Sequence, residues 1–168
     1  MNTPCPQVGR DAFLAAMRQV AATVTVVTTQ GSAGRVGATV SAFTSLSADP
    51  PSVLVCLRAD SRIAQAVVEN GVFCVNILPE DAVEVARAFA GPSPDDPADR
   101  FAGLAIAPDP HGPRLPRATA FACTLTGHVL HATHAICIGT VAGLTVAGGE
   151  KPLTYLSGSY HRLHPHEG

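Results

Sequence analysis

The strand-like segments of this chain are short and follow one another in neighbouring pairs, with too few helical segments to separate them. "TVTVVTT" (23–29) passes through the turn-like "GSAGRVG" into "GATVSAF" (37–43). "SVLVCL" (52–57) and "VFCVNIL" (72–78) are continuous apolar runs of the kind that fill buried strands. "ATAFACTLTGHVL" and "AICIGTVAGLTVAGG" are two longer runs joined around "HATH", and "PLTYLSGSY" is a last short one. Regular alternation of strand and helix would build a doubly wound parallel sheet, and that alternation is missing. Hairpin pairing predicts a mainly β, antiparallel fold, closed or nearly closed into a barrel, with peripheral helices.

Three segments carry helical periodicity. "RDAFLAAMRQVA" places Phe13, Leu14, Met17, Val20 and Ala21 on one face. "ADSRIAQAVVENG" offers Asp60 or Ser61 as a cap and Gly71 as a stop. "PEDAVEVARAFAG" has Pro79 near its first turn, early acids and a closing Gly91. "PSPDDPADR" reads as a loop and not as a domain linker, because no independent pattern starts after it. All 168 residues are therefore expected to form one domain, with a core over about 10–163 and short flexible ends.

Composition narrows the classes of function. The net charge of −2 supplies no attraction for nucleic acid or an anionic membrane. No apolar run is long enough to span a bilayer, and the first ten residues lack a signal-peptide pattern, so a cytoplasmic location is expected. Charged residues are only 14%, well below the average of about 25%, which predicts surface covered by a second copy of the chain, most simply a homodimer. The five cysteines show no zinc-type spacing, and four lie in apolar runs as small core residues. His128, His131 and His134 are spaced by three, but their flanks are strand-like, so they do not share a face and no metal site is expected. No dinucleotide fingerprint, phosphate-binding P-loop or nucleophile elbow occurs, and Lys151 is the single lysine.

One stretch carries unusual chemistry. In "GATVSAFTSLSADPP" (37–51), Thr39, Ser41, Phe43, Ser45 and Ser47 recur at strand spacing and would share a face. Small hydroxyls, accessible backbone and one ring suit a flat heteroaromatic ligand that carries a phosphate. A Ser/Thr-rich edge strand would show the same pattern, and the pattern alone leaves both readings open. His134, directly before a strand, is a site candidate on similar terms, beside the alternative of a loop histidine bonded to backbone.

Five blocks occur in order: "GATVSAFTSLSADPPSVLVCL", "SRIAQAVVENGVFCVNIL", "FAG…DRFAG", "HAICIGTV" and "PLTYLSGSY". Together they resemble the flavin reductase family, homodimeric FMN-binding split barrels that supply reduced flavin to two-component monooxygenases. The resemblance runs from about Phe13 to Leu163. It implies hydride transfer from NADH or NADPH to FMN or FAD, and a flavin-dependent monooxygenase as partner. It also implies that Thr39, Ser41, Ala42 and Phe43 line the flavin ring and that Ser45 and Ser47 reach toward the phosphate. Ser61 and Arg62 would add a hydroxyl, a charge and a helix N-terminus to that phosphate. Asn76 is a further pocket candidate, Arg100 and Phe101 would close over the cofactor, and His134 and Tyr160 would flank the nicotinamide. Ala132 and Thr133 stand where relatives often have Gly-Asp before the histidine. A related split-barrel reductase of a corrinoid or ferric chelate, or a non-catalytic flavin-binding protein, would share most of these features.

Overall fold

The computed structural model describes residues 8–91 and 99–166. Cys5 and most of the "PSPDDPADR" loop lie outside the described residues. The order of elements is α1 (Arg10–Met17), β1 (Ala22–Thr23), β2 (Thr25–Thr29), β3 (Val36–Val40), β4 (Phe43–Ala48), β5 (Pro51–Arg58), α2 (Arg62–Asn70), β6 (Val72–Ile77), α3 (Val83–Phe89), β7 (Thr119–His131), β8 (His134–Thr145), β9 (Thr154–Leu156) and β10 (Ser159–His161). A single 3₁₀ turn at Asp99–Phe101 precedes β7.

The strands form one seven-stranded antiparallel sheet in the order β3-β2-β6-β7-β8-β5-β4 and a small sheet, β1-β9-β10. The fold is thus mainly β with few helices, as the hairpin pattern predicts. Closure is where it departs from expectation: β3 and β4 are the two edges of the large sheet, and no ladder joins them. The predicted continuous strand through 37–47 breaks at Ser41–Ala42. Before the break the chain pairs with β2, and after it with β5. Short backbone bonds hold this corner, from Phe43 N–H to the Ser41 carbonyl (3.1 Å) and from Cys56 N–H to the Ala42 carbonyl (2.9 Å).

Two apolar clusters form the core. One packs α2, through Ile63, Ala64 and Val67, against Val27, Val55, Phe73 and Val75 of the sheet. Each such side chain contributes about 1.5–3 kcal/mol when fully buried. The other gathers Val26, Leu78, Phe89, Phe101, Leu115 and Leu153 beneath α3 and the small sheet. α2 starts and ends where its sequence predicts. Ser61 is extended (φ −82°, ψ 147°), its hydroxyl accepts from Ala64 N–H, and Gly71 adopts the left-handed φ of 70° that stops the helix. α1 ends earlier than its pattern suggests, and no residue of it is buried in the single chain. Phe13, Leu14, Met17 and Val20 all remain exposed.

Candidate active site

A cleft of about 810 Å³ opens where β3, the Ser41–Ala42 corner, the end of β5 and the first turn of α2 converge. Its size falls within the ~300–1,000 Å³ usual for small-molecule sites. One wall is the run Val36 to Ala42, five of whose seven residues are no larger than threonine. At Gly37 two packed rings leave no room for a side chain: a Cβ would lie 2.6 Å from Phe89 Cε1 and 3.0 Å from Phe101 Cζ. The wall therefore presents mainly peptide groups, which both donate and accept hydrogen bonds.

The opposite rim is polar. Cys56, Leu57 and Arg58 come from β5, then Asp60, Ser61, Arg62 and Ile63 from the entry to α2. Arg62 has no ion-pair partner among the described residues. It stands in the first turn of α2, where the peptide dipoles also favour an anion. Arg58 forms a bidentate pair with Asp60 (2.7 and 3.1 Å). His134 opens β8 directly across the ladder from Arg58. Its Nδ1 lies 3.0 Å from Thr133 Oγ1, and its ring is exposed. Arg100 sits at the inner end, largely buried, donating to the carbonyls of Phe89 (2.6 Å) and Gly91 (3.1 Å). Burial pushes its guanidinium down from the ordinary arginine value.

The structure brings together Thr39, Ser41, Ala42, Ser61, Arg62, Arg100 and His134 of the predicted set. Their hydroxyls are not equivalent. Thr39 Oγ1 donates to the Ala86 carbonyl (2.7 Å), fastening β3 to α3. Ser61 Oγ donates to the Arg58 carbonyl (2.5 Å) while capping α2. The Ser41 hydroxyl makes no protein hydrogen bond among the described residues, so it is the one most available to a ligand.

Six predicted residues lie outside the cleft lining. Ser45 and Ser47 follow the corner onto β4, where a bulge between them shifts the register against β5. Ser47 is engaged locally, bonded to both the carbonyl (2.9 Å) and the N–H (3.0 Å) of Asp49. Phe43 packs at 5.7 Å from Phe121. Asn76 is fully buried, and its amide bonds to the Val26 and Pro113 carbonyls, Thr28 Oγ1 and Leu115 N–H. Phe101 stands edge-on to Phe89 (5.0 Å) beneath Arg35. Tyr160, on β10, stacks edge-on with Tyr155 (5.3 Å) below the Arg87 guanidinium (5.9 Å). Sequence reasoning missed Gly37, Cys56, Arg58 and Asp60. The signal for the last two was present in "LRADSR", where an apolar strand ends in opposite charges immediately before a helix cap.

A peptide-lined wall, a free hydroxyl at its corner and a cation with a helix N-terminus at its rim fit a planar heterocycle that bears a phosphate. Comparison with known proteins agrees. Residues 17–164 match the flavin reductase like domain family. The chain is 39% identical over 160 residues to an FMN reductase (NADH), RutF, of Ancylobacter novellus, covering 94% of this chain and 87% of that one. It is 38% identical over 144 residues to the reductase component of the 4-nitrophenol 4-monooxygenase/4-nitrocatechol 2-monooxygenase of Rhodococcus opacus, covering 85% and 75% of the two chains. The fold superposes with a TM-score of 0.85 on BorF, the flavin reductase component of a bacterial two-component tryptophan halogenase, at 28% identity and over 94% of this chain and all of that one. With residues 17–164 matched, nearly the whole sequence, the chain belongs to the flavin reductase like family.

Proposed function

We propose that this protein is an NADH:flavin oxidoreductase that reduces FMN or FAD in the Ser41–Ala42 cleft and delivers the reduced flavin to a partner monooxygenase. The observation that carries the reading is the coincidence of the cleft with the "GATVSAF" corner of a chain matched to the family over residues 17–164. Flavin supplies the hydride acceptor and the nicotinamide the donor, so the protein's own work is binding, alignment and electrostatics. Peptide groups of Gly37 to Ala42 would orient the ring edge and stabilise negative charge developing on it. Arg62 and the first turn of α2 would hold the phosphate. His134, exposed at the far rim, would orient the nicotinamide against the ring, where correct alignment lowers the barrier. No catalytic acid or nucleophile is required, which matches a rim of binding groups.

Several finer features belong to the same reading. On this reading the bend at Ser41–Ala42, where the chain passes from the β3 edge to the β4 edge, would be the split of a barrel. The exposed face of α1, with Phe13, Leu14 and Met17, and Val20 just after it would be buried in a homodimer of the ~800 Å² per partner that stable interfaces need. Light scattering with flavin present should then give twice the 17.2 kDa chain mass, and a monomer mass would overturn the dimer. A cytoplasmic location is proposed alongside, since among the described residues no helix is long and apolar enough to cross a membrane.

The decisive assay is steady-state oxidation of NADH and NADPH with free FMN, FAD and riboflavin. Turnover with NADH and release of reduced flavin is expected. Flavin binding without nicotinamide oxidation would indicate a non-catalytic binding protein. Turnover only with a corrinoid or ferric chelate would indicate the related bound-flavin reductase.

A further inference from the structure

Two charges on the cleft rim have no part in the mechanism above. Arg58 is the last residue of β5, and Asp60 directly precedes the Ser61 cap. Their side chains meet as a planar fork, Nε to Oδ1 at 3.1 Å and Nη2 to Oδ2 at 2.7 Å. The hydrogen bond to Arg58 draws the Asp60 carboxyl below its ordinary range, against desolvation as the next largest effect, and the charge of Arg58 adds to the lowering. Yet the two side chains are 71% and 70% exposed, and a pair so open to water stabilises a fold only weakly.

Its position is more informative than its strength. The rim holds two guanidiniums four residues apart, Arg58 and Arg62, on either side of the N-terminus of a nine-residue helix. Arg62 has no carboxylate partner among the described residues, whereas Arg58 is occupied by one. A guanidinium fork that fits a carboxylate fits two phosphate oxygens equally well. A phosphate monoester carries about −1.5 to −2 charges near neutral pH, against −1 for the carboxylate, so it competes well for the same fork.

We propose that Arg58 is a second phosphate-binding cation of this site, and that Asp60 is an internal anion that yields Arg58 to the phosphate of an arriving nucleotide and reclaims it as the nucleotide leaves. The proposal rests on reading the cleft as a flavin–nicotinamide site. The exchange offsets part of the lost phosphate contact at dissociation, so it weakens binding and speeds release. That suits a protein whose product has to depart. Asp60 is then a specificity-determining residue that tunes affinity through Arg58 without touching the ligand.

The test uses the full chain, with wild type compared to Asp60→Asn, Arg58→Met and Arg58→Lys. Flavin fluorescence titrations with FMN and with riboflavin, which lacks the phosphate, are run at low and high salt. Asp60→Asn should tighten FMN by about 2- to 5-fold, the worth of an exposed pair. Arg58→Met should weaken FMN by about 10-fold or more, the loss of a charged hydrogen bond, and Arg58→Lys should recover only part of it. Riboflavin affinity should stay within about 2-fold throughout, and the FMN differences should shrink with salt. The KM for NADH with riboflavin as acceptor identifies the phosphate's source. If the same changes appear there and not with FMN, the phosphate is the dinucleotide's and the proposal holds for that ligand. Unchanged FMN affinity and unchanged NADH KM in Asp60→Asn would overturn the proposal, as would equal losses for FMN and riboflavin in Arg58→Met. Wild type that binds no flavin at all would overturn the functional reading itself, and this proposal with it.

Discussion

Asn76→Ala should destabilise the fold and leave flavin affinity intact, although Asn76 lies in a block that resembles the flavin-binding family. The side chain is fully buried on β6. Its Oδ1 accepts from Leu115 N–H at 2.8 Å, and its Nδ2 donates to the Val26 carbonyl at 3.1 Å and Thr28 Oγ1 at 3.3 Å. It therefore ties β6 to β2 and to the loop that enters β7. Truncation leaves the buried Leu115 N–H without that acceptor, at about 1–3 kcal/mol. Loss of the donated bonds and a small cavity bring the sum to roughly 2–4 kcal/mol. A domain of this size loses about 2–4 °C in Tm per kcal/mol, so the midpoint should fall by roughly 5–15 °C. Asn76→Asp keeps an acceptor for Leu115 but buries a charge, and should cost at least as much. The assays are thermal unfolding followed by far-UV circular dichroism, and FMN titration well below the midpoint. An unchanged Tm with a tenfold weaker FMN affinity would refute the reasoning and return Asn76 to the ligand.

Other outcomes follow from the same geometry. His134→Ala should raise the KM for NADH or slow reduction by more than it weakens flavin binding, and stopped-flow kinetics with unchanged values for both would assign His134 to structure. Ala132 holds φ at 50° in the two-residue loop between β7 and β8, a conformation that disfavours a side chain, so Ala132→Gly should gain about 0.5–1 kcal/mol; a lower Tm for the glycine variant would contradict this. Burial pushes the thiols of Cys74 and Cys123 up to about 12 and that of Cys137 to about 11. Unfolded thiols ionise near 9, so the folded state loses stability as pH rises from about 9 toward 12 and gains nothing from these groups on the acid side. Alkylation at pH 9 followed by peptide mapping should accordingly modify Cys56, which lines the cleft, before these three.

Local, short-range rules made much of this protein legible in its sequence. Apolar runs separated by turns predict antiparallel strands because each hairpin is specified by residues close in the chain. Ser61 and Gly71 mark the ends of α2 because a cap needs only a side-chain oxygen and a left-handed residue. The hydroxyl-rich block also contributes to the cleft, which Ser41 and Ala42 line. Only the tertiary structure decided which of its residues stay there. Alternation assigns a face only while a strand remains in one ladder. The break at Ser41–Ala42 transfers the chain from β2 to β5 and carries Ser45 and Ser47 away from Thr39. Likewise, nothing local shows that the Thr39 hydroxyl is bound to Ala86, 47 positions away, or that Asn76 is closed off by Val26 and Leu115. His134 meets the end of β5 because β8 pairs with a strand formed some eighty residues earlier. Those relations depend on pairings between strands far apart in the chain and on the packing of α2 against β2, β3, β5, β6 and β7 and of α3 against β2 and β3, which no local pattern specifies.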